Sequence, residues 1–147
     1  MATKTFNATV DALWSNDSNW SGDGGGKPGA VEPFIIDADC LMDYDYITAG
    51  ITVGAGTINS GKKLYWSPGT LGVLDMAGKL TNNATLGLQV GTAANPITLG
   101  AAGAPWMARI RFVGDYGVVG TGSCQMYGAL RSRTKDYIAA DANSGQP

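Results

Sequence analysis

TLGVLDMAGKLTNNATLGLQVG, residues 70–91, opens on Thr70-Leu71-Gly72 and returns to the same tripeptide at Thr85-Leu86-Gly87. Short aliphatic runs grow out of both copies, Leu71-Gly72-Val73-Leu74 and Leu86-Gly87-Leu88-Gln89-Val90, with the turn-prone pair Asn82-Asn83 between them. No catalytic residue type recurs in step with the echo, so it reports how the chain is wound. Read this way, the two copies form the same corner of neighbouring coils, with Leu71 and Leu86 pointing inward and each glycine permitting a tight bend.

The flanking sequence extends the pattern. Phe34-Ile35-Ile36, Ile51-Thr52-Val53, Lys63-Leu64-Tyr65-Trp66, Arg109-Ile110-Arg111-Phe112-Val113 and Gln125-Met126-Tyr127 are further short β-type runs, punctuated by Asn59-Ser60-Gly61, Ser67-Pro68-Gly69 and Asn95-Pro96. A looser echo links Ile51-Thr52-Val53-Gly54 with Ile97-Thr98-Leu99-Gly100. Strands this short cannot each support a hairpin core. Stacked as successive turns of a coil, each buries its apolar side chains against the strands above and below. The expectation is an all-β chain forming a short, irregular β-solenoid over residues 12–130, with an N-terminal arm at 1–11 and a C-terminal arm at 131–147. An antiparallel β-sandwich or jelly roll is the alternative that short strands and turn signals also allow.

Composition agrees with a glycine-rich β-protein. The chain has 147 residues, 22 of them glycine, and only 15% charged; glycine inside a helix costs about 1 kcal/mol relative to alanine, which disfavours long helices. A chain of this length can bury roughly two thirds of its unfolded surface, enough for one core without disulfide or metal staples. Cys40 and Cys124 sit in separate apolar runs and are expected to be free and buried. Met1-Ala2-Thr3-Lys4-Thr5-Phe6 lacks the apolar segment of a secretory signal, so synthesis in a host cytoplasm without export is expected. No run of apolar residues is long enough for a membrane span.

The stretch Ala12-Leu13-Trp14-Ser15-Asn16-Asp17-Ser18-Asn19-Trp20-Ser21-Gly22, followed by Lys27-Pro28-Gly29-Ala30 and Phe34-Ile35-Ile36-Asp37, pairs two tryptophans with a glycine and proline turn and a hydrophobic strand. Ile51-Thr52-Val53-Gly54-Ala55-Gly56-Thr57-Ile58 reads as a strand, glycine, strand step, Leu88 to Ile97 as a later strand with Asn-Pro, and Val113-Gly114-Asp115 as a glycine-bounded strand end. In these features residues 12–130 resemble the domain named for its eight glycines. The resemblance implies the β-rich coil with which right-handed parallel β-helices begin, and no agreed catalytic residues; the missing signal departs from that family's extracellular setting.

The chain contains no histidine, which removes imidazole bases and the commonest metal ligand. No cofactor and no metal site is expected. The densest set of reactive groups is Asp37, Asp39, Asp43 and Asp45. In extended chain Asp37 and Asp39 lie on one side about 7 Å apart, as do Asp43 and Asp45, a spacing that suits calcium or a paired-acid hydrolase. The plainer reading, preferred here, is a solvated face alternating with Ile36, Ala38 and Cys40. Asp17 begins a run resembling a calcium loop, but Pro28 stands where the closing glutamate belongs. Trp14 and Trp20 are read as covering an open end of the coil, while Trp66 and Trp106 are candidates for stacking on a glycan.

Charge is divided along the chain. Residues 1–45 carry eight carboxylates against Lys4 and Lys27, a net of minus 6, whereas 109–135 carry Arg109, Arg111, Arg131, Arg133 and Lys135 against Asp115, a net of plus 4. The division favours contact with other protein chains over nucleic acid, which wants a concentrated basic face. The polar tail from Ala139 to Pro147 needs a neighbour to hold it. Together these features lead to an expected non-enzymatic structural subunit of a virion: a decoration, or cement, protein on the capsid surface of a tailed phage. Its partners are the major capsid protein and copies of itself in a symmetric oligomer such as a trimer, with Thr3, Lys4, Phe6, Arg131, Arg133 and Lys135 as contact candidates. A tail fibre or spike module, and a carbohydrate-binding module, are the alternatives.

Overall fold

A computed structural model describes residues 2–67, 69–91, 108–126 and the strand 136–140. The fold is β-rich, and its strands enter three sheets in rotation. In the first sheet β1 (Lys4–Phe6) pairs with the antiparallel β2 (Trp20–Ser21) on one side and with the parallel β3 (Phe34–Ile36) on the other. The chain then crosses to β4 (Cys40–Leu41) in the second sheet, touches the third through a bridge between Asp45 and Val73, and forms the single turn of helix α1 (Tyr46–Ala49).

The next passage supplies β5 (Gly56–Ile58), β6 (Leu64–Trp66) and β7 (Gly72–Met76) to the first, second and third sheets. After it come β8 (Leu80–Asn82), β9 (Leu88–Val90) and β10 (Ala108–Phe112), again in that order. Each of these six strands except β7 lies parallel to and in register with a strand of the passage before it. A final passage adds β11 (Val118–Val119) beside β8 and β12 (Cys124–Met126) beside β9, while β13 (Asp136–Ala140) joins β10 antiparallel. Among the described strand pairs eight are parallel and two antiparallel, which is not the pairing of an antiparallel sandwich or jelly roll.

In-register stacking makes the core a set of columns. In most three-residue strands the outer two side chains are buried and the middle one is half-buried, the period-2 alternation of an extended chain. Phe6, Ile36, Ile58 and Asn82 follow one another up the first sheet, and Cys40, Leu64 and Leu88 up the second. Asn82 is the polar member, and it is satisfied: its Nδ2 donates to Ser123 O at 3.0 Å and its Oδ1 accepts from Ala84 N at 3.1 Å. Next to this column Phe34 stands opposite Gly56, and a Cβ at Gly56 would collide with the Phe34 ring. A large ring over no side chain keeps the layer filled without strain.

The Thr-Leu-Gly echo is resolved differently from its reading in sequence. Gly72 begins β7 in the third sheet, whereas Gly87 leads into β9 in the second, so the two copies occupy different corners. Leu71 is 46% and Leu86 40% exposed, not buried; the inward residues are Leu74, Leu88 and Val90. The glycines are nevertheless required, for close approach rather than for bending. A Cβ at Gly72 would overlap the Met42 carbonyl oxygen, and one at Gly87 would overlap Asn82 Oδ1. It is Leu86 that takes the left-handed conformation, with φ of 56°.

Aromatic side chains fill the end near β2. Trp14 contacts Trp20, Phe34 and Tyr46 edge to face, with ring centroids 4.7, 5.1 and 5.9 Å away. Their polar tips are paired in series: Trp20 Nε1 donates to Trp14 O, Trp14 Nε1 to Tyr46 Oη, and the Tyr46 hydroxyl to Pro28 O, each at 2.9 Å. Burial pushes the Tyr46 phenol far up, so it remains a donor. Trp14 and Trp20 therefore cover the end of the first sheet from within the core, with β2 laid along the outer edge of β1.

Candidate functional site

Three of the four aspartates of the acidic run accept hydrogen bonds that hold local structure. Asp37 and Asp39 are exposed in the connection after β3, and Asp37 accepts from Asn59 Nδ2 at 2.9 Å. Asp43 accepts from Ser15 N at 2.8 Å and from Ser15 Oγ at 2.6 Å, tying the segment between β1 and β2 to the turn after β4. Asp45 caps α1, accepting from Ile47 N, Thr48 N and Thr48 Oγ1, the usual task of an N-terminal aspartate. Among the described residues no group of three or more carboxylates and thiols lies together as a metal site.

Two of the proposed N-terminal contacts lie inside the fold. Phe6 is buried in the core, and Lys4 is 2% exposed. The Lys4 ammonium donates to Asp23 O at 2.5 Å and Gly25 O at 2.6 Å, with Glu32 Oε2 4.0 Å away. Burying a charge is tolerable because carbonyl dipoles and a carboxylate surround it. Residues 4–6 are thus a strand inside a sheet, not an extended arm; Thr3 is exposed. At the other end, Arg131, Arg133 and Lys135 lie outside the described residues, but the segment expected as an arm contains β13, which is part of the third sheet. Trp66 is 1% exposed and donates from Nε1 to Gly72 O at 2.9 Å, so it is a core residue without a face for a glycan. Trp106 lies outside the described residues. Cys40 is buried and free, whereas Cys124, expected to be buried, is exposed.

An ion pair not foreseen from sequence crosses the third sheet. Asp75 on β7 stands opposite Arg111 on β10, and the guanidinium grips both carboxylate oxygens, Nε to Oδ1 at 2.7 Å and Nη2 to Oδ2 at 2.8 Å. Thr52 Oγ1 adds a third hydrogen bond to Oδ2 at 2.9 Å. The side chain of Asp75 is 3% exposed and that of Arg111 35%. Bidentate geometry and a third donor are what allow a carboxylate to be buried here. Its register partner was 36 residues away in the chain, a separation no local pattern discloses.

Two surface features remain without a structural role. The first is the end of the stack opposite β2. There β11 and β12 are the last strands of the first and second sheets, and among the described residues nothing pairs with their outer edges. Tyr116 and Val119 beside this edge are 50% and 44% exposed. The second is a hollow of about 270 Å³ on the outer face of the second sheet, lined by Asp39, Lys63, Tyr65, Ser67 and Gln89 over the buried Trp66. Tyr65 and Gln89 are register neighbours on β6 and β9, and the Lys63 ammonium lies 5.2 Å from the Tyr65 ring centre. Desolvation above all raises the Tyr65 phenol above its ordinary 10.0, so the hydroxyl is protonated and can donate at neutral pH.

A wider hollow of about 440 Å³ lies between the glycine loop at 24–26 and Tyr44. Its charges are already matched to each other: Lys27 Nζ donates to Asp17 Oδ1 at 2.9 Å and lies 4.9 Å from the Tyr44 ring centre. No family model, no curated protein and no solved structure matches the chain.

Proposed function

We propose that the rotation of strands through three sheets is an irregular β-solenoid of the right-handed parallel β-helix kind, and that the chain is a non-enzymatic structural subunit of a virion, decorating the capsid of a tailed phage. The observation that carries the reading is the inequality of the two ends. One end is closed by β2 and the aromatic cluster, while at the other, among the described residues, nothing pairs with the outer edges of β11 and β12, beside which Tyr116 and Val119 are exposed. Open strand edges recruit further strands, which soluble monomers normally avoid. A subunit that docks on a lattice, or on its own copies about a symmetry axis, uses such an edge. The engagement of Asp37, Asp43 and Asp45 in hydrogen bonds that hold turns together supports a structural role for the acidic run.

Quantitative proteomics on purified particles of the phage encoding the chain tests this. A decoration protein is expected in a fixed ratio to the major capsid protein, at lattice-scale copy number. A handful of copies per particle would replace the reading with a tail fibre or spike module, and absence from particles would overturn it.

A further inference from the structure

The hollow on the second sheet gathers five polar side chains around one shallow cavity, and the fold uses few of them. Among the described residues the side chains of Asp39, Lys63, Ser67 and Gln89 hydrogen-bond to no protein group, although Asp37 and Asp43 close by in sequence both do. We infer that this hollow is a binding site for one ring of a neutral carbohydrate, built on Tyr65 and Gln89 and completed by Asp39, Lys63 and Ser67. The inference is independent of the assembly reading, since it uses the side of the sheet and not its edge.

Three properties select the ligand class. The volume, about 270 Å³, falls just below the roughly 300–1,000 Å³ of sites that enclose drug-sized molecules, which suits a single ring. One carboxylate and one ammonium balance each other, so the hollow favours neither a simple anion nor a simple cation. What it offers is a dense mix of acceptors and donors: the Asp39 carboxylate, the Gln89 amide, the Ser67 hydroxyl, the Lys63 ammonium and the protonated Tyr65 hydroxyl. A polyhydroxylated ring presents several hydroxyls that each donate and accept, and the carboxylate and ammonium make charge-assisted bonds to them. The Tyr65 ring adds an apolar surface for the C–H face of the sugar. Strands of the second sheet fix Tyr65 and Gln89 side by side, so little ordering is needed on binding.

The test uses the full chain, labelled with ¹⁵N and titrated separately with the methyl glycosides of glucose, galactose, mannose, rhamnose and N-acetylglucosamine, while the Tyr65 and Gln89 backbone amides are followed by NMR. At least one glycoside is expected to give saturable shifts with a Kd on the order of 1 mM, typical of a shallow one-ring site. Gln89→Ala and Asp39→Asn, which remove no hydrogen bond among the described residues, should each weaken that binding about tenfold or more. Tyr65→Ala should abolish it, with unfolding monitored by the core methyl signals. Saturation by none of the five glycosides overturns the inference. Equal affinity in the Gln89→Ala and Asp39→Asn proteins also overturns it, as does stronger saturable binding of acetate or methylammonium than of any glycoside.

Discussion

Leu86 sits at an exposed corner in front of β9, where its backbone takes a left-handed turn. The residue repeats Leu71 and looks like a core position, yet it is exposed and holds φ at 56°, a left-handed conformation that costs a non-glycine residue about 1–2 kcal/mol. Leu88, two positions on, is 1% exposed. Leu86→Ala is therefore expected to change stability by less than about 0.5 kcal/mol, whereas Leu88→Ala should cost about 2–5 kcal/mol. Gly87→Ala, which places a methyl on Asn82 Oδ1, should cost about 1–3 kcal/mol through overpacking. Urea midpoints of the three variants check the order: a Leu86→Ala loss as large as that of Leu88→Ala would contradict this account of the corner. The same comparison shows what the tripeptide encodes, which is a glycine between closely approaching chain segments.

The loop from Asp17 to Lys27 shows how one element is held, and how acid releases it. Asp17 accepts from both the Lys27 ammonium and the Lys27 backbone N–H, at 2.9 and 3.0 Å, and these bonds hold its carboxyl below the ordinary 3.8. A carboxyl whose folded value is depressed stabilises the fold at pH above its unfolded value and loses that contribution as the pH falls through the folded value. Stability should thus fall on acidification below about pH 4, and Asp17→Asn should flatten that part of the curve; an unchanged slope in thermal melts from pH 5 to pH 2 would refute the assignment. The elements themselves were largely legible in sequence. The runs around Ile35, Tyr65, Val73, Gln89 and Ile110 all became strands, because alternation and bounding turn residues are local signals. Where each strand pairs is not local: Lys4 folded under the glycine loop and Asp75 met Arg111 through partners dozens of residues away. The tryptophans misled for the same reason, since Trp66 is apolar enough for either a surface platform or a core, and only its neighbours decide.

For the molecule as a whole, spatial order follows chain order from β1 onward, with β2 folded back outside β1: across the first sheet the strands run β2, β1, β3, β5, β8, β11. The acid-rich residues 1–45 consequently occupy the closed end of the stack, and Tyr116, Val119 and Cys124 the open one. If the open edge is the assembly surface, Val119→Lys, a charge placed on an edge strand, should abolish self-association in sedimentation velocity while leaving the melting temperature nearly unchanged. Association that persists unaltered in this variant would move the interface elsewhere. The same ordering bears on synthesis. Because β1 needs only β2 and β3 as partners, the aromatic end can form while later residues are still being made, and each new strand then meets a finished edge to align against. Folding would proceed like a zip from a fixed starting point, so mutations near Trp14 should slow its start, while those near Val118 should leave it untouched.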